Sequence, residues 1–266
     1  VVQVGTQLLY IGGSNGSTAT STVYVAKLVD GSTFDTWTEG PALPAPRTNA
    51  AVASFGGSVY VIGGSDAAGN PTSTTFVLTP DLATGALGGW TTNDTLALPE
   101  PRTGAGAVAS PNGIIVVGGS GPNGPTDTVW ASILGQNALG PWQAQAPLAR
   151  PQSGGVAMLV GDDLWYVGGV DATGPVGAVQ RGELGTGKAS GTVVRWGIRN
   201  GVNLPAARAE ATGFAANGTM YVVGGFDGQR PRGEVYWAIP DGDGEIGEWK
   251  HLAQSDLPSV GLAGAA

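Results

Sequence analysis

The chain of 266 residues contains no cysteine and a single histidine, His251. The first absence excludes disulfides, thiolate metal sites and cysteine nucleophiles together. The second excludes a three-histidine metal site and leaves His251 as the one residue on which a Ser-His-Asp relay would have to be built. Charge is also scarce. Only 12% of residues are Asp, Glu, Lys or Arg, which argues against a coiled coil or a solvated disordered chain. Lys and Arg number 12 against 20 Asp and Glu, a net charge of −8. A protein that tracks a nucleic-acid backbone needs a basic face, so nucleic acid is not an expected partner. No apolar run approaches the roughly 18–20 residues that span a bilayer, so direct membrane insertion by this segment is not expected. No signal-peptide pattern is present, and no cofactor or metal is expected. Low lysine with abundant Gly, Ala, Ser and Thr points to a bacterial, extracytoplasmic or cell-surface protein.

Glycine, by contrast, is plentiful, at 47 residues with 18 prolines. That is the composition of short strands joined by many turns. Hydrophobic residues make up 41%, enough for a large core.

Two markers recur in step. Trp37, Trp90, Trp142, Trp196 and Trp249 are separated by 53, 52, 54 and 53 residues, and 54 more lead from Trp249 through Ala266 to Trp37 if the ends are joined. A Gly-Gly pair follows an apolar run at Gly12-Gly13, Gly63-Gly64, Gly118-Gly119, Gly168-Gly169 and Gly224-Gly225, with a matching wrap-around gap. Five copies of one unit that close in phase imply a ring of repeats.

The second copy shows the unit. Leu43-Pro44-Ala45-Pro46-Arg47 opens it. Asn49 to Phe55 is a small apolar run, and Gly56-Gly57 is a turn. Ser58 to Ile62 is a β-branched and aromatic run that ends at Gly63-Gly64. A polar loop to Ser73, a third run from Thr74 to Thr79, a turn segment and a short strand opening at Trp90 complete it. Four short strands in about 53 residues are one propeller blade. The small first strand suits the crowded axis, the Gly-Gly lets backbone pass close to a neighbour, and the Trp covers apolar area between blades.

This pattern resembles the kelch repeat. Pro-Arg precedes the inner strand, Gly-Gly ends the second, an aromatic sits on the third (Tyr24, Phe76, Trp130, Tyr236) and a Trp on the fourth. Gln180 departs from the aromatic in the fourth copy. The resemblance covers the whole chain. The expected fold is all-β: a five-bladed β-propeller of four-stranded kelch-like blades forming one domain over residues 1–266. The ring is expected to close near the chain termini, in a seam blade shared by both ends. Kelch propellers usually have six or seven blades; the phase closure is the reason for expecting five.

In a kelch-like blade the loop before the first strand and the loop after the second open on one face. Arg47, Arg102 and Arg208 each lie 16 residues before their Gly-Gly, with Gln152 at that offset in the fourth copy and Gly261-Leu262 at the seam. Asn15, Asp66, Asp171 and Asp227 each lie two residues after theirs. An alternating ring of this kind reads as a polar funnel for an acidic peptide, a carboxylate or a sugar. The competing and favoured reading for any single Arg is structural, a tie between blades. Glu210 is the sharpest deviation, a carboxylate near the axis where other copies have Asn49, Gly104 and Gly154. If desolvated, it would be an acid or base; the bland alternative is pairing with an Arg or a channel water. Asp241-Gly242-Asp243-Gly244-Glu245 resembles half of a calcium loop, but position 12 would be Leu252, so an acidic hairpin is expected instead. His251 is expected on an outer strand, far from the funnel.

Three functions remain open. The leading one is a non-catalytic scaffold that binds a protein partner through the loop face, since no catalytic set is recognisable. The resemblance also implies a sugar-acid-binding or mutarotase-like enzyme, which would need Arg47, Arg208 and Glu210 around one pocket. The copper-oxidase branch of kelch-like proteins needs Cys and His ligands and is excluded. The third is a structural subunit of a cell-surface assembly.

Overall fold

The computed structural model describes residues 1–81, 83–187, 190–199 and 202–258. Its described residues are strands and loops with short 3-10 turns, among them Asp94–Leu96 and Ala253–Ser255. Five four-stranded antiparallel sheets follow one another along the chain, each with strands in sequence order. Blade 1 comprises Val2–Val4, Gln7–Ile11, Val23–Lys27 and Thr38–Glu39. Blade 2 comprises Ala51–Phe55, Ser58–Ile62, Thr75–Leu78 and Thr91–Thr92. Blade 3 comprises Gly106–Ser110, Gly113–Val117, Val129–Ile133 and Gln143–Ala144. Blade 4 comprises Val156–Val160, Asp163–Val167, Val179–Leu184 and Val193–Ile198, and blade 5 comprises Thr212–Ala216, Thr219–Val223, Val235–Ala238 and Lys250–His251. The expected five-bladed propeller is the observed architecture. No helix among the described residues is long and apolar enough to cross a membrane.

Successive blades bury apolar faces against each other. Leu9, Val23 and Val25 of blade 1 pack on Val59, Val61 and Phe76 of blade 2. Ala53 and Ile62 of blade 2 meet Ile114, Val116 and Trp130 of blade 3. Val117 and Val129 then meet Leu164 and Tyr166, and Met158 and Trp165 meet Met220 and Val222. A fully buried side chain of this size is worth about 1.5–3 kcal/mol, so these sandwiched faces dominate stability. The repeating Trp links blades as expected. Trp90, Trp142 and Trp249 donate their indole N–H to the carbonyls of Pro41, Leu96 and Val202, each in the linker that joins the preceding blade to the Trp's own, at 2.9, 2.8 and 2.9 Å.

Two boundaries differ from expectation. The inner strand of blade 2 begins at Ala51 rather than Asn49, because Asn49 has φ +51 and cannot continue a strand. The outer strand begins one residue after Trp90, which faces the neighbouring blade instead of pairing in the ladder. The expected seam, at residues 261–266, lies outside the described residues. All four described strands of blade 1 come from residues 2–39.

The Gly-Gly pair is the tightest point of the repeat. At Gly63 φ is +63, and a Cβ would lie 2.6 Å from the Arg102 carbonyl oxygen and 3.2 Å from that of Thr72. Gly63→Ala is therefore expected to cost about 3 kcal/mol in urea unfolding, from strain plus overlap. Gly69→Ala, at φ +84 with open space around it, should cost only about 1 kcal/mol. Equal costs at the two sites would contradict the close-approach account.

Candidate functional site

The loops before the first strand and after the second gather on one face, around a cavity of about 530 Å³ at the axis. All five blades contribute lining, including Ser14, Asn49, Gly104, Gly154 and Glu210. Its floor is a backbone ladder. Gly104 N–H donates to the Asn49 carbonyl, Gly154 N–H to that of Gly104, and Glu210 N–H to that of Gly154, at 2.8, 2.7 and 2.8 Å. The four residues share a left-handed backbone, with φ of +51, +61, +62 and +52. The ladder needs that conformation, which Gly adopts freely and Asn tolerates. Glu is the costly member.

The three arginines are not free to meet a ligand. Arg47, Arg102 and Arg208 are 5%, 1% and 1% exposed. Each guanidinium lies over the aromatic ring of its own blade's third strand: Arg47 over Phe76 at 4.7 Å, Arg102 over Trp130 at 4.7 Å, Arg208 over Tyr236 at 5.2 Å. Each also donates to the carbonyl of the residue before it. Further donors go to Thr74, to Glu100 and Thr128, and to Glu234 and the Tyr236 hydroxyl. Arg47 touches the cavity; burial lowers its pKa, partly opposed by the charge of Asp66. Blade 4 explains its two departures by a joint exchange. Gln152 and Gln180, both buried, hydrogen-bond to each other where the other blades pair Arg with an aromatic. Gln180 also brackets Arg150, accepting from its N–H and donating to its carbonyl at 3.0 Å each.

The acidic and amide positions of the second loop are turn-formers. Asn15 accepts from the N–H groups of Ser17 and Thr18, Asp66 from those of Ala68 and Asn70, and Asp171 from Thr173. Asp227 accepts from Gln229 and Arg230 and pairs with Arg232 at 2.6 Å. These bonds hold the carboxylates below the usual range: the Asn70 N–H leads at Asp66, the Thr173 hydroxyl at Asp171, and the Arg230 N–H at Asp227. The alternating Arg–Asp funnel is thus two sets of internally committed groups.

Glu210 stands apart. It is exposed at the cavity wall, with its backbone in the ladder. It and Arg47 are the charged residues lining the cavity, and Arg208 is not among the lining groups. The acidic segment of blade 5 is a hairpin turn, as expected. Asp241 accepts from the N–H groups of Asp243 and Glu245, and Arg181 of blade 4 donates to the Asp243 carbonyl and pairs with the Glu245 carboxylate. No group of three metal-ligating side chains occurs among the described residues. His251 is on the outer strand of blade 5, bonded to Asp256 at 2.9 Å. Sequence reasoning missed the left-handed ladder and the stacking role of the arginines. The matched departures at Gln152 and Gln180 were the available signal for the latter.

Four-stranded blades tied by an inward-stacked Arg define a repeat propeller of one recognisable class. The chain belongs to the kelch-repeat family: a family model described as the KLHDC2/KLHL20/DRC7 Kelch-repeats domain matches residues 1–181. Kelch repeat protein M-T8 of Myxoma virus (strain Lausanne) is 31% identical over 195 residues, 73% of this chain and 34% of that protein. The chain thus spans about a third of that relative's length. A solved structure titled "Structure of YjhT" is similar with a TM-score of 0.68 at 17% identity, over 94% of this chain and 82% of that one. At this identity the likeness speaks for the fold.

Arg102→Gln and Trp130→Gln should each cost about 3 kcal/mol, the first by leaving the Glu100 and Thr128 partners unmet. The double variant recreates the blade 4 pair and should cost at least about 1 kcal/mol less than the two singles together, read by a denaturant double-mutant cycle. Strict additivity would refute the exchange.

The depressed carboxylates carry a pH prediction. A carboxylate with a lowered folded pKa stabilises above its ordinary value and loses that contribution as pH falls through the folded one. The Asp171 and Asp227 loops should keep their turns at pH 5 and loosen well below pH ~4. NMR titration midpoints at or above the ordinary carboxylate value would contradict this.

Proposed function

We propose that this chain is a non-catalytic binding module that takes a protein partner on its loop face, with Glu210 as the charge that selects a cationic group. The observation that carries the reading is the backbone of Glu210. Three equivalent positions use Asn or Gly in the same left-handed conformation, whereas here an exposed carboxylate is held there at a cost of order 1 kcal/mol. A strained, exposed charge at the mouth of a cavity is the kind of feature a scaffold keeps for recognition.

The surroundings support this reading. Arg102 and Arg208 are not in the cavity lining, and Arg47 at its wall is buried and bonded to Pro46 and Thr74, which argues against a carboxylate ligand. What remains accessible is hydroxyl, amide and backbone groups with one carboxylate, in a cavity large enough for a few side chains of a peptide. Asn49 and Glu210 are the proposed ligand contacts. Asn15, Asp66, Asp171 and Asp227 shape the loops that surround them. A carbohydrate that offers hydroxyls to the same groups is the second reading, favoured by the Ser14, Thr48, Ser120 and Ser153 lining.

Glu210→Gly is expected to leave stability unchanged or raise it by up to about 1 kcal/mol, because Gly meets the left-handed backbone without strain. Fluorescence anisotropy with labelled peptides rich in Lys and Arg should show binding that weakens about tenfold or more in Glu210→Gln and falls with added salt. Binding of acidic peptides or sugar acids that is indifferent to Glu210→Gln would sink the proposal. Binding of neutral sugars alone would move it to the second reading.

A further inference from the structure

Two residues at the rim of the funnel form one backbone-bonded pair in each of blades 2 to 5. Thr48 exchanges N–H to carbonyl bonds with Ser65, Thr103 with Ser120, Ser153 with Val170 and Ala209 with Phe226, all at 2.7–3.1 Å. Hydroxyls fill the first two pairs, and the Ser65 hydroxyl donates to that of Thr103 at 2.9 Å. The last pair has no hydroxyl. It places a phenyl ring where Ser14, Ser65, Ser120 and Val170 stand after the other Gly-Gly pairs. Of those four, Ser14, Ser120 and Val170 line the cavity. Phe226 is 38% exposed at the equivalent place.

The ring stands beside Glu210. A hydrogen-bonded antiparallel pair holds its Cα atoms about 5.5 Å apart. Glu210 directly follows Ala209, so ring and carboxylate spring from one corner of the rim. The two departures do not compensate each other as Gln152 and Gln180 do, because a phenyl ring offers a carboxylate no hydrogen bond. None of the ion pairs among the described residues involves Glu210. The cations that lie over rings use Phe76, Trp130, Trp165, Tyr236 and Trp237, not Phe226. Arg232, on the loop that Phe226 opens, pairs with Asp227 and Glu234.

The interior of the same chain shows what a ring and a carboxylate hold together. Arg102 lies over Trp130 and bonds to Glu100, and Arg208 lies over Tyr236 and bonds to Glu234. A guanidinium is planar, stacks on a ring face and donates from a fork to a carboxylate. An ammonium is a compact, strongly hydrated charge that gains less from the same pair.

We infer that Phe226 and Glu210 form an arginine subsite: the partner presents an Arg side chain whose guanidinium stacks on the Phe226 ring and pairs with the Glu210 carboxylate. Glu210 supplies the charge, and Phe226 supplies the preference for Arg over Lys. The inference rests on the reading of Glu210 as the selector of a cationic group and adds which group and which residue discriminates.

The test is fluorescence anisotropy with two labelled Gly-Ser peptides that differ only in carrying Arg or Lys. The Arg peptide should bind the parent chain about fivefold or more tightly, and Phe226→Ser should remove most of that preference while changing Lys binding by less than about twofold. Serine occupies this position in the first three repeats, so the variant should melt within about 2 °C of the parent. Phe226→Leu keeps apolar bulk without a ring face and should lose the preference as well, so the result does not hinge on the serine variant. Equal affinity of the two peptides for the parent overturns the arginine subsite. So does a Phe226→Ser or Phe226→Leu chain that keeps the preference, or that weakens both peptides alike. If Glu210→Gln still weakens both peptides in those cases, the cationic reading of Glu210 stands without the subsite. Binding of neither peptide overturns both.

Discussion

The rest of the propeller depends on one short backbone hydrogen bond, repeated at each step along the chain. The second glycine of each Gly-Gly pair donates its N–H to the carbonyl of the residue that enters the next blade: Gly13 to Arg47, Gly64 to Arg102, Gly119 to Gln152 and Gly169 to Arg208, at 2.8, 2.7, 2.9 and 2.6 Å. The bond forms only if the first glycine admits that carbonyl, at about the distance where a Cβ would sit. Removing the side chain at this point brings two sheets within hydrogen-bonding reach and sets the spacing at which their apolar faces mesh. The same entering residue then does a second job. Its backbone ties to the previous blade while its side chain packs on the third strand of its own, so one residue fixes a blade both to its neighbour and to itself.

That double use explains why the arginines are interior residues despite their charge. A guanidinium over an aromatic ring, with its terminal N–H groups directed to carbonyl, hydroxyl or carboxylate acceptors, is desolvated with its charge met by the ring and those acceptors, while its buried Nε has no partner. Blade 4 solves the same problem without charge, with two glutamines that satisfy each other. The exchange was complete at both positions, Gln152 for Arg and Gln180 for the aromatic, because either change alone would leave a buried polar group without its partner.

Repetition made the fold legible. Trp and Gly-Gly periods counted the blades, and the β-branched runs placed the second strands within a residue. Side-chain direction was less legible. Arg47, Arg102 and Arg208 occur in loops at equal offsets, which is the pattern of a binding ring as much as of a buried tie; only the third-strand ring beneath each one distinguishes them, and that contact joins residues 28 or 29 positions apart in sequence. Asp66, Asp171 and Asp227 were placed in the correct loops, but their bonds run to N–H groups two to four residues on, so they order the loops rather than line a pocket. Left-handed backbone at Asn49 and Glu210 has no periodic hydrophobic signature, and the sequence carried only a hint of it in the glycines at 104 and 154.

The positions that follow the repeat and those that break it therefore serve different ends. Where every blade repeats a residue, the reason lies in the tie between sheets, and changing it should be felt as lost stability. Where a blade departs and another residue departs with it, as in blade 4, the pair is still structural. Glu210 departs uncompensated: no residue changes to accommodate it, it is exposed, and its backbone conformation is one that glycine would hold more easily. A feature that the scaffold neither needs nor compensates is the strongest claim a repeat protein makes to a site, because the identical demands on the other blades show what that position looks like when only folding is at stake.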